Sequence, residues 1–135
     1  AYYRQVAAMI TKHRPSVVGH LDVIKKNNGT GKYFAEEEAW YRQLIDGVLA
    51  VIKAHGTIVE VNTGGISRGY IQEPYPSLWI LKKCRQLGIP VMITSDAHCP
   101  EHLDAHFDLA RERLKEVGYD EQYVLQGSIW RRTAL

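Results

Sequence analysis

Cysteine is scarce in this chain of 135 residues: Cys84 and Cys99 are the only two, and they do not form a C-x-x-C pair. That scarcity argues against a zinc ribbon, a dithiol redox motif or a disulfide framework, and it suits a reducing cytoplasm. No apolar run approaches the roughly 18 residues of a membrane span. Nor does a charged segment followed by an apolar one open the chain, so neither a span nor a signal peptide is expected. Charge of one sign is also missing: 17 Lys and Arg face 15 Asp and Glu, a formal balance of +2. Without a basic stripe interleaved with aromatics, neither nucleic acid nor a membrane is the expected partner. An anion must be caught locally. The initiator Met is absent too, and Ala1-Tyr2-Tyr3 already lies inside a helical pattern, so residues 1–135 are expected to be one portion of a longer domain.

What is present is 45% apolar residues, enough for a core, and a repeating order of helical and strand-like segments. Tyr3, Val6, Ala7 and Ile10 recur at helical spacing until Pro15 stops them. Ser16 to His20 reads as a strand, and Asn27-Asn28-Gly29-Thr30-Gly31 as turn chemistry in a loop behind it. From about Ala35 to His55, Trp40, Leu44, Ile45, Val48, Leu49, Val51 and Ile52 mark an amphipathic helix with Glu36, Glu37 and Glu38 in its first turn. Gly56 ends it. Thr57 to Asn62 is a second strand, Gly64 to Pro76 an irregular loop, Ser77 to Leu87 a short helix, and a third strand opens at Pro90. A last helix is expected from Pro100 to Val117, stopped by Gly118. Tyr123 to Leu125 reads as a short strand, and Gln126 to Leu135 has no assignment. The alternation points to an α/β class built of parallel βα units. Three strands are few for a parallel sheet that needs both faces covered.

Three strand-like segments end in polar clusters: Val17-Val18-Gly19-His20-Leu21-Asp22, Ile58-Val59-Glu60-Val61-Asn62-Thr63 and Val91-Met92-Ile93-Thr94-Ser95-Asp96-Ala97-His98. If the strands run parallel, His20, Asn62, Asp96 and His98 meet on one rim, where α/β folds build their sites. Asp96 and His98 supply one oxygen and one imidazole, a mixture suited to zinc, manganese or iron. The alternative is that Asp96 caps the following helix. His20 is either a third ligand or a hydrogen-bonded rim residue. Asp22 either orients an imidazole or pairs with Lys25 or Lys26. Glu60, deeper in its strand, reads as a structural carboxylate, while Asn62 and Thr63 lie where they can touch substrate. Gly64-Gly65-Ile66-Ser67-Arg68-Gly69 offers backbone N–H groups and the Arg68 fork to an anion, or is a plain exposed loop. His102 and His106, four apart, share a face if the last helix is continuous, and are read as a solvated face or a metal pair. His13 and His55 sit at helix C-termini, where positive charge is favoured.

Gly19-His20-Leu21-Asp22-Val23-Ile24-Lys25-Lys26, Glu60-Val61-Asn62-Thr63-Gly64-Gly65 with Arg68, Tyr75-Pro76-Ser77, and Ser95-Asp96-Ala97-His98 follow one another in this order. Together they resemble the histidinol-phosphate phosphatases of the polymerase and histidinol phosphatase (PHP) superfamily, over most of the chain. The resemblance implies part of a distorted (βα)7 TIM-like barrel carrying up to three divalent metal ions, zinc, iron or manganese. It makes His20, Asp96 and His98 metal ligands, with Asp96 and His98 also catalytic, and it sets Asn62 and Arg68 against a small phosphorylated substrate. The family's His-x-His motif and the His and Glu ligands after it have no counterpart before His20, so only the C-terminal half is matched. For an intact parent the resemblance implies hydrolysis of L-histidinol phosphate in histidine biosynthesis, with the 135-residue portion alone inactive. Two alternatives stand beside it: a PHP-type phosphoesterase acting on another ester or a nucleic acid end, and a non-catalytic half-barrel that self-associates through open sheet edges.

Overall fold

The computed structural model describes residues 1–29 and 31–135; Thr30, within the expected turn, lies outside the described residues. Helix α1 (Tyr2–His13) buries Tyr3 and Ile10 and ends at Arg14, whose φ of 47° breaks the helix just ahead of Pro15. Strand β1 is only Val17–Val18, and a 3-10 turn spans Val23–Asn27. Helix α2 (Ala39–His55) turns Tyr41, Ile45, Val48, Leu49 and Ile52 to the core and stops at Gly56, which takes the left-handed φ of 66° that favours glycine. The three glutamates expected in its first turn precede it instead. Glu38 accepts from the Ala35 N–H at 2.8 Å, and Glu36 accepts from the Trp79 indole.

Strand β2 (Ile58–Asn62) pairs in parallel with β1 on one side and with β3 (Val91–Thr94) on the other, in the order β1-β2-β3. The parallel arrangement expected from the sequence is therefore present, in a mixed α/β chain. Strand alternation splits the sheet. Val18, Val59, Val61, Val91 and Ile93 join one apolar core with α1, α2, α4 (Leu78–Leu87) and α5 (Phe107–Glu116), while Glu60, Met92 and Thr94 occupy the opposite face, half-buried. Inside that core the Tyr3 and Tyr41 hydroxyls satisfy each other at 2.9 Å, which removes the penalty of burying two phenols.

Two expectations need correction, and one segment without an assignment gains one. The segment after β2 is not wholly irregular: Gly64–Ser67 forms a single helical turn, α3. The last helix is not continuous from Pro100 to Val117. A 3-10 turn at Pro100–His102 is followed by a bend, and α5 begins only at Phe107, with His106 at φ 63° in front of it. The physical reason is competition for carbonyls. The Ser95 hydroxyl donates to the Leu103 carbonyl at 2.9 Å and the Thr63 hydroxyl to the Ala105 carbonyl at 2.7 Å, at the acceptors a continuous helix needs for residues 107 and 109. His102 and His106 therefore do not share a helical face. Finally, the unassigned tail is a strand. Glu121–Gln126 (β4) and Ile129–Ala134 (β5) form an antiparallel hairpin across Gly127-Ser128, with Gly127 at φ 62°. Gln122 docks this hairpin on the sheet, its side-chain oxygen accepting from the Ile93 N–H at 3.1 Å.

Candidate active site

His20 follows β1 by two residues and Asp96 follows β3 by two, so parallel pairing brings both to the C-terminal end of the sheet. There a cleft of about 400 Å³ is lined by His20, Val23, Lys26, Arg68, Tyr70, Tyr75, Asp96 and His98. A second cleft of about 530 Å³, with Lys25, Glu36 and Glu73 in its wall, adjoins it across Tyr70. The smaller one holds the chemistry. Four of the sequence-expected site residues (His20, Arg68, Asp96 and His98) meet in it.

The backbone is strained at two of them. Among non-glycine residues only Arg14, His20, Asp96 and His106 have positive φ in the described chain, at 26° for His20 and 47° for Asp96. Such conformations cost of order 1–3 kcal/mol each and persist where surrounding contacts dictate them. For His20 the dictating contact is Glu60. Its Oε2 accepts from the His20 N–H at 2.6 Å and from the Asn62 amide at 3.0 Å, while Oε1 accepts from the Thr94 hydroxyl at 2.6 Å. A side chain at Gly19 would bring its Cβ to 3.1 Å from the same Oε2. Glu60 thus ties the ends of all three strands together, as a structural carboxylate.

Arg68 governs the other end of the cleft. Its Nη2 donates to Asp96 Oδ2 at 2.7 Å, and Nη1 donates to the Asp96 carbonyl at 2.9 Å and lies 2.9 Å from His98 Nδ1. His98 Nδ1 is also 2.7 Å from the Asp96 carbonyl. A ring nitrogen cannot serve both: with its proton it donates to that carbonyl and leaves Nε2 as a lone-pair donor, and without it accepts from Arg68. Gly64 makes the close approach possible, since a Cβ there would lie 2.5 Å from the Ser95 carbonyl oxygen, 2.9 Å from Arg68 Nη2 and 3.0 Å from Asp96 Cβ.

Other expected residues fall elsewhere. Asn62 is buried beneath the cleft, with its amide donating to Glu60 and its oxygen accepting from the Gly64 N–H at 2.9 Å, so it orders the strand end and does not line the wall. Asp22, fully buried, accepts from the Ser77 N–H at 2.9 Å and the Ser77 hydroxyl at 3.0 Å and pairs with Lys25 at 3.0 Å. Of its two readings, the pairing with Lys25 is the one found. Most backbone N–H groups of the glycine-rich turn are taken by nearby oxygens: Gly64 on Asn62, Ile66 and Ser67 on Thr63, Arg68 on Gly64, Gly69 on Ile66. Its charged offer to an anion is the Arg68 side chain. Tyr75, quoted above only within a motif, is a wall residue that position along the chain did not single out.

The donor chemistry of one carboxylate and two imidazoles in one cleft suits a divalent ion of the zinc, manganese or iron kind. Even so, among the described residues no three His, Cys, Asp or Glu side chains come together as a metal-holding group. The residues present fit a share of such a centre.

Fold and cleft define an α/β chain with a cation-rich site at the C-terminal ends of a parallel sheet. Comparison with known proteins narrows this. No family model matches. The chain is 29% identical over 96 residues to a protein of Bacillus subtilis named histidinol-phosphatase, a match covering 71% of this chain and 35% of that protein. It is 26% identical over 117 residues to a probable histidinol-phosphatase of Deinococcus radiodurans, covering 87% of this chain and 42% of the relative. The chain is similar to histidinol-phosphatases, as its motifs indicated, and it spans less than half the length of these relatives.

Proposed function

We propose that this chain is part of a metal-dependent phosphomonoester hydrolase acting on histidinol phosphate, with the cleft between β1 and β3 contributing to its active site. The observation that carries the reading is the gathering of His20, Arg68, Asp96 and His98 around one cleft, joined to the similarity to proteins named for this activity. His20, Asp96 and His98 would hold divalent metal, the remaining ligands coming from outside these 135 residues. When bound, the metal supplies neutralisation of phosphoryl charge and activation of water.

The chain's own residues do the rest. Arg68 keeps its guanidinium fixed through Asp96 and His98, and up to three of its five N–H donors are spent there, leaving at least two for phosphoryl oxygens. Lys26 adds a second cation at the cleft wall. Asp96 or His98 would pass a proton to the leaving alkoxide only after exchange off the metal and protonation from solvent, and the ion pair of Asp96 with Arg68 favours His98 for that role. Glu60 holds His20 in its strained conformation. Helices cover one face of the sheet, with half-buried Glu60, Met92 and Thr94 on the other, and this supports reading the sheet as a segment of a distorted (βα)7 barrel with that second face inward. Among the described residues no helix is long and apolar enough to cross a membrane, and the two free cysteines suit a cytoplasmic location.

The test is phosphate release from histidinol phosphate by a longer protein containing these residues, with metal analysis. Chelation should abolish turnover, Arg68→Ala should lower kcat/KM by roughly 100-fold or more, and His98→Ala should lose metal. Turnover indifferent to chelator and to His98→Ala would remove the reading. A second reading, a non-catalytic unit that self-associates, draws on β1, which among the described residues pairs only with β2 and leaves an open sheet edge. Sedimentation of a stable monomer would count against it.

A further inference from the structure

The larger cleft, beside the one that holds His20 and His98, keeps one charge unmatched. Three charged side chains stand in its wall, Lys25, Glu36 and Glu73. Two of them are already paired. Lys25 Nζ lies 3.0 Å from Asp22 Oδ2 and donates to the Ser77 hydroxyl at 2.8 Å, and Glu73 accepts from two nitrogens of Arg113 at 2.7 and 2.8 Å. Glu36 differs: among the described residues no cationic side chain forms an ion pair with its carboxylate. Arg42 spends its Nε on the Glu36 main-chain carbonyl at 3.3 Å, and its guanidinium lies over the Trp79 ring. The Trp79 indole N–H donates to Glu36 Oε2, which fixes the carboxylate without neutralising it, since an indole carries no charge. Half-buried, that carboxylate is open to a solute and partly desolvated, and partial desolvation strengthens a charge pair.

Tyr70 stands in the walls of both clefts, and its ring, 44% exposed, forms the ridge between them. Lys26 Nζ sits 4.3 Å from the ring centroid and the Arg68 guanidinium carbon 5.9 Å from it. The sign of the surplus charge reverses across this ridge. On the side of His20 and His98, Arg68 pairs with Asp96 and the Lys26 ammonium is left over; on the other side the Glu36 carboxylate is left over. Opposite surpluses in adjoining clefts suit a ligand with an anion at one end and a cation at the other. We propose that Glu36 is a specificity-determining residue: with the phosphoryl group in the smaller cleft, its carboxylate accepts hydrogen bonds from a cationic nitrogen of the alcohol portion, which lies across Tyr70. This deepens the phosphomonoesterase reading above and rests on it. The substrate class is the phosphate ester of an amino alcohol, to which histidinol phosphate belongs. The competing account is purely structural, in which Glu36 serves only to hold the Trp79 indole.

The experiment uses the longer, metal-loaded protein of the phosphate-release assay and compares histidinol phosphate with phenylpropyl phosphate, an ester of similar length that lacks nitrogen. Glu36→Gln keeps an oxygen for the Trp79 indole and removes the charge. A hydrogen bond to a charged group corresponds to roughly 10- to 100-fold in affinity. The variant should therefore lower the ratio of kcat/KM for histidinol phosphate to that for phenylpropyl phosphate by that factor. The change should lie chiefly in the KM for histidinol phosphate, because a contact remote from the reacting atoms is shared by ground and transition states. An unchanged ratio overturns the role of Glu36 and leaves the phosphomonoesterase reading standing. A loss shared equally by the two esters, with a lowered melting temperature, does the same and assigns the carboxylate to holding Trp79. A parent protein that hydrolyses neither ester with metal bound overturns the reading and this inference together.

Discussion

Replacing Gly64 by alanine tests how the cleft is assembled, because one methyl group there meets three neighbours at once. Its Cβ would stand 2.5 Å from the Ser95 carbonyl oxygen, 2.9 Å from Arg68 Nη2 and 3.0 Å from Asp96 Cβ. Carbon and oxygen normally stay more than 3 Å apart, roughly. The first neighbour is backbone and cannot swing aside. Either β3's continuation or the turn of α3 must move, and overpacking of this kind costs about 1–3 kcal/mol. Gly47 provides the opposite case. It lies in α2, is exposed, and has nothing within 4 Å of an added Cβ. The same substitution there only removes the flexibility of glycine in a helix and should stabilise by about 0.5–1 kcal/mol. Urea unfolding followed by circular dichroism should therefore move the midpoint down for Gly64→Ala and up for Gly47→Ala, at a common slope. Since Arg68 and Asp96 are the neighbours displaced, phosphate affinity should fall with the first change and not with the second. Gly64→Ala within about 0.5 kcal/mol of the parent, with phosphate binding intact, would refute the close approach on which the cleft geometry depends.

Two further predictions follow from ionisable groups. Arg113 binds the Glu73 carboxylate through two nitrogens at 2.7 and 2.8 Å and, chiefly by that hydrogen bonding, holds its pKa below the ordinary carboxylate value. A depressed folded pKa adds stability above the unfolded pKa, near 4.5, and loses it as pH falls through the folded value. Arg113→Ala should therefore be less stable than the parent at pH 6 and converge with it on acidification below that point; a constant gap down to pH 3 would contradict the linkage. Cys84 is fully buried and burial pushes its thiol up to about 12, so iodoacetamide at pH 8 should modify the half-buried Cys99 and spare Cys84 until the chain unfolds. Equal labelling of both in the native chain would refute this.

Much was legible in the sequence because it is local. The apolar spacing of Tyr41, Ile45, Val48, Leu49 and Ile52, with Gly56 after them, states a helix and its end without reference to anything distant. The same holds for the short runs that became β1, β2 and β3 and for the polar clusters at their ends, so that once the strands lie parallel, His20, Asp96 and His98 must arrive on one rim. Gly127-Ser128 also carried its hairpin signal, a two-residue loop opening with glycine, though the apolar pattern around it is too weak to be read as two strands.

Tertiary structure decided the rest, through partners far apart in the chain. The break before α5 belongs to Ser95 and Thr63, whose hydroxyls take carbonyls that helical periodicity assigns to the helix itself. Asp22 chose Ser77, 55 residues away, as well as nearby Lys25. Asn62 turned inward to Glu60, Arg68 closed on Asp96 and His98, and Tyr75 was set in the cleft wall by its pairing with Asn62. Propensity and periodicity act over a few residues and so fix which segments form. Which polar group satisfies which depends on desolvation inside the assembled fold, and no neighbouring residue in the chain can specify it.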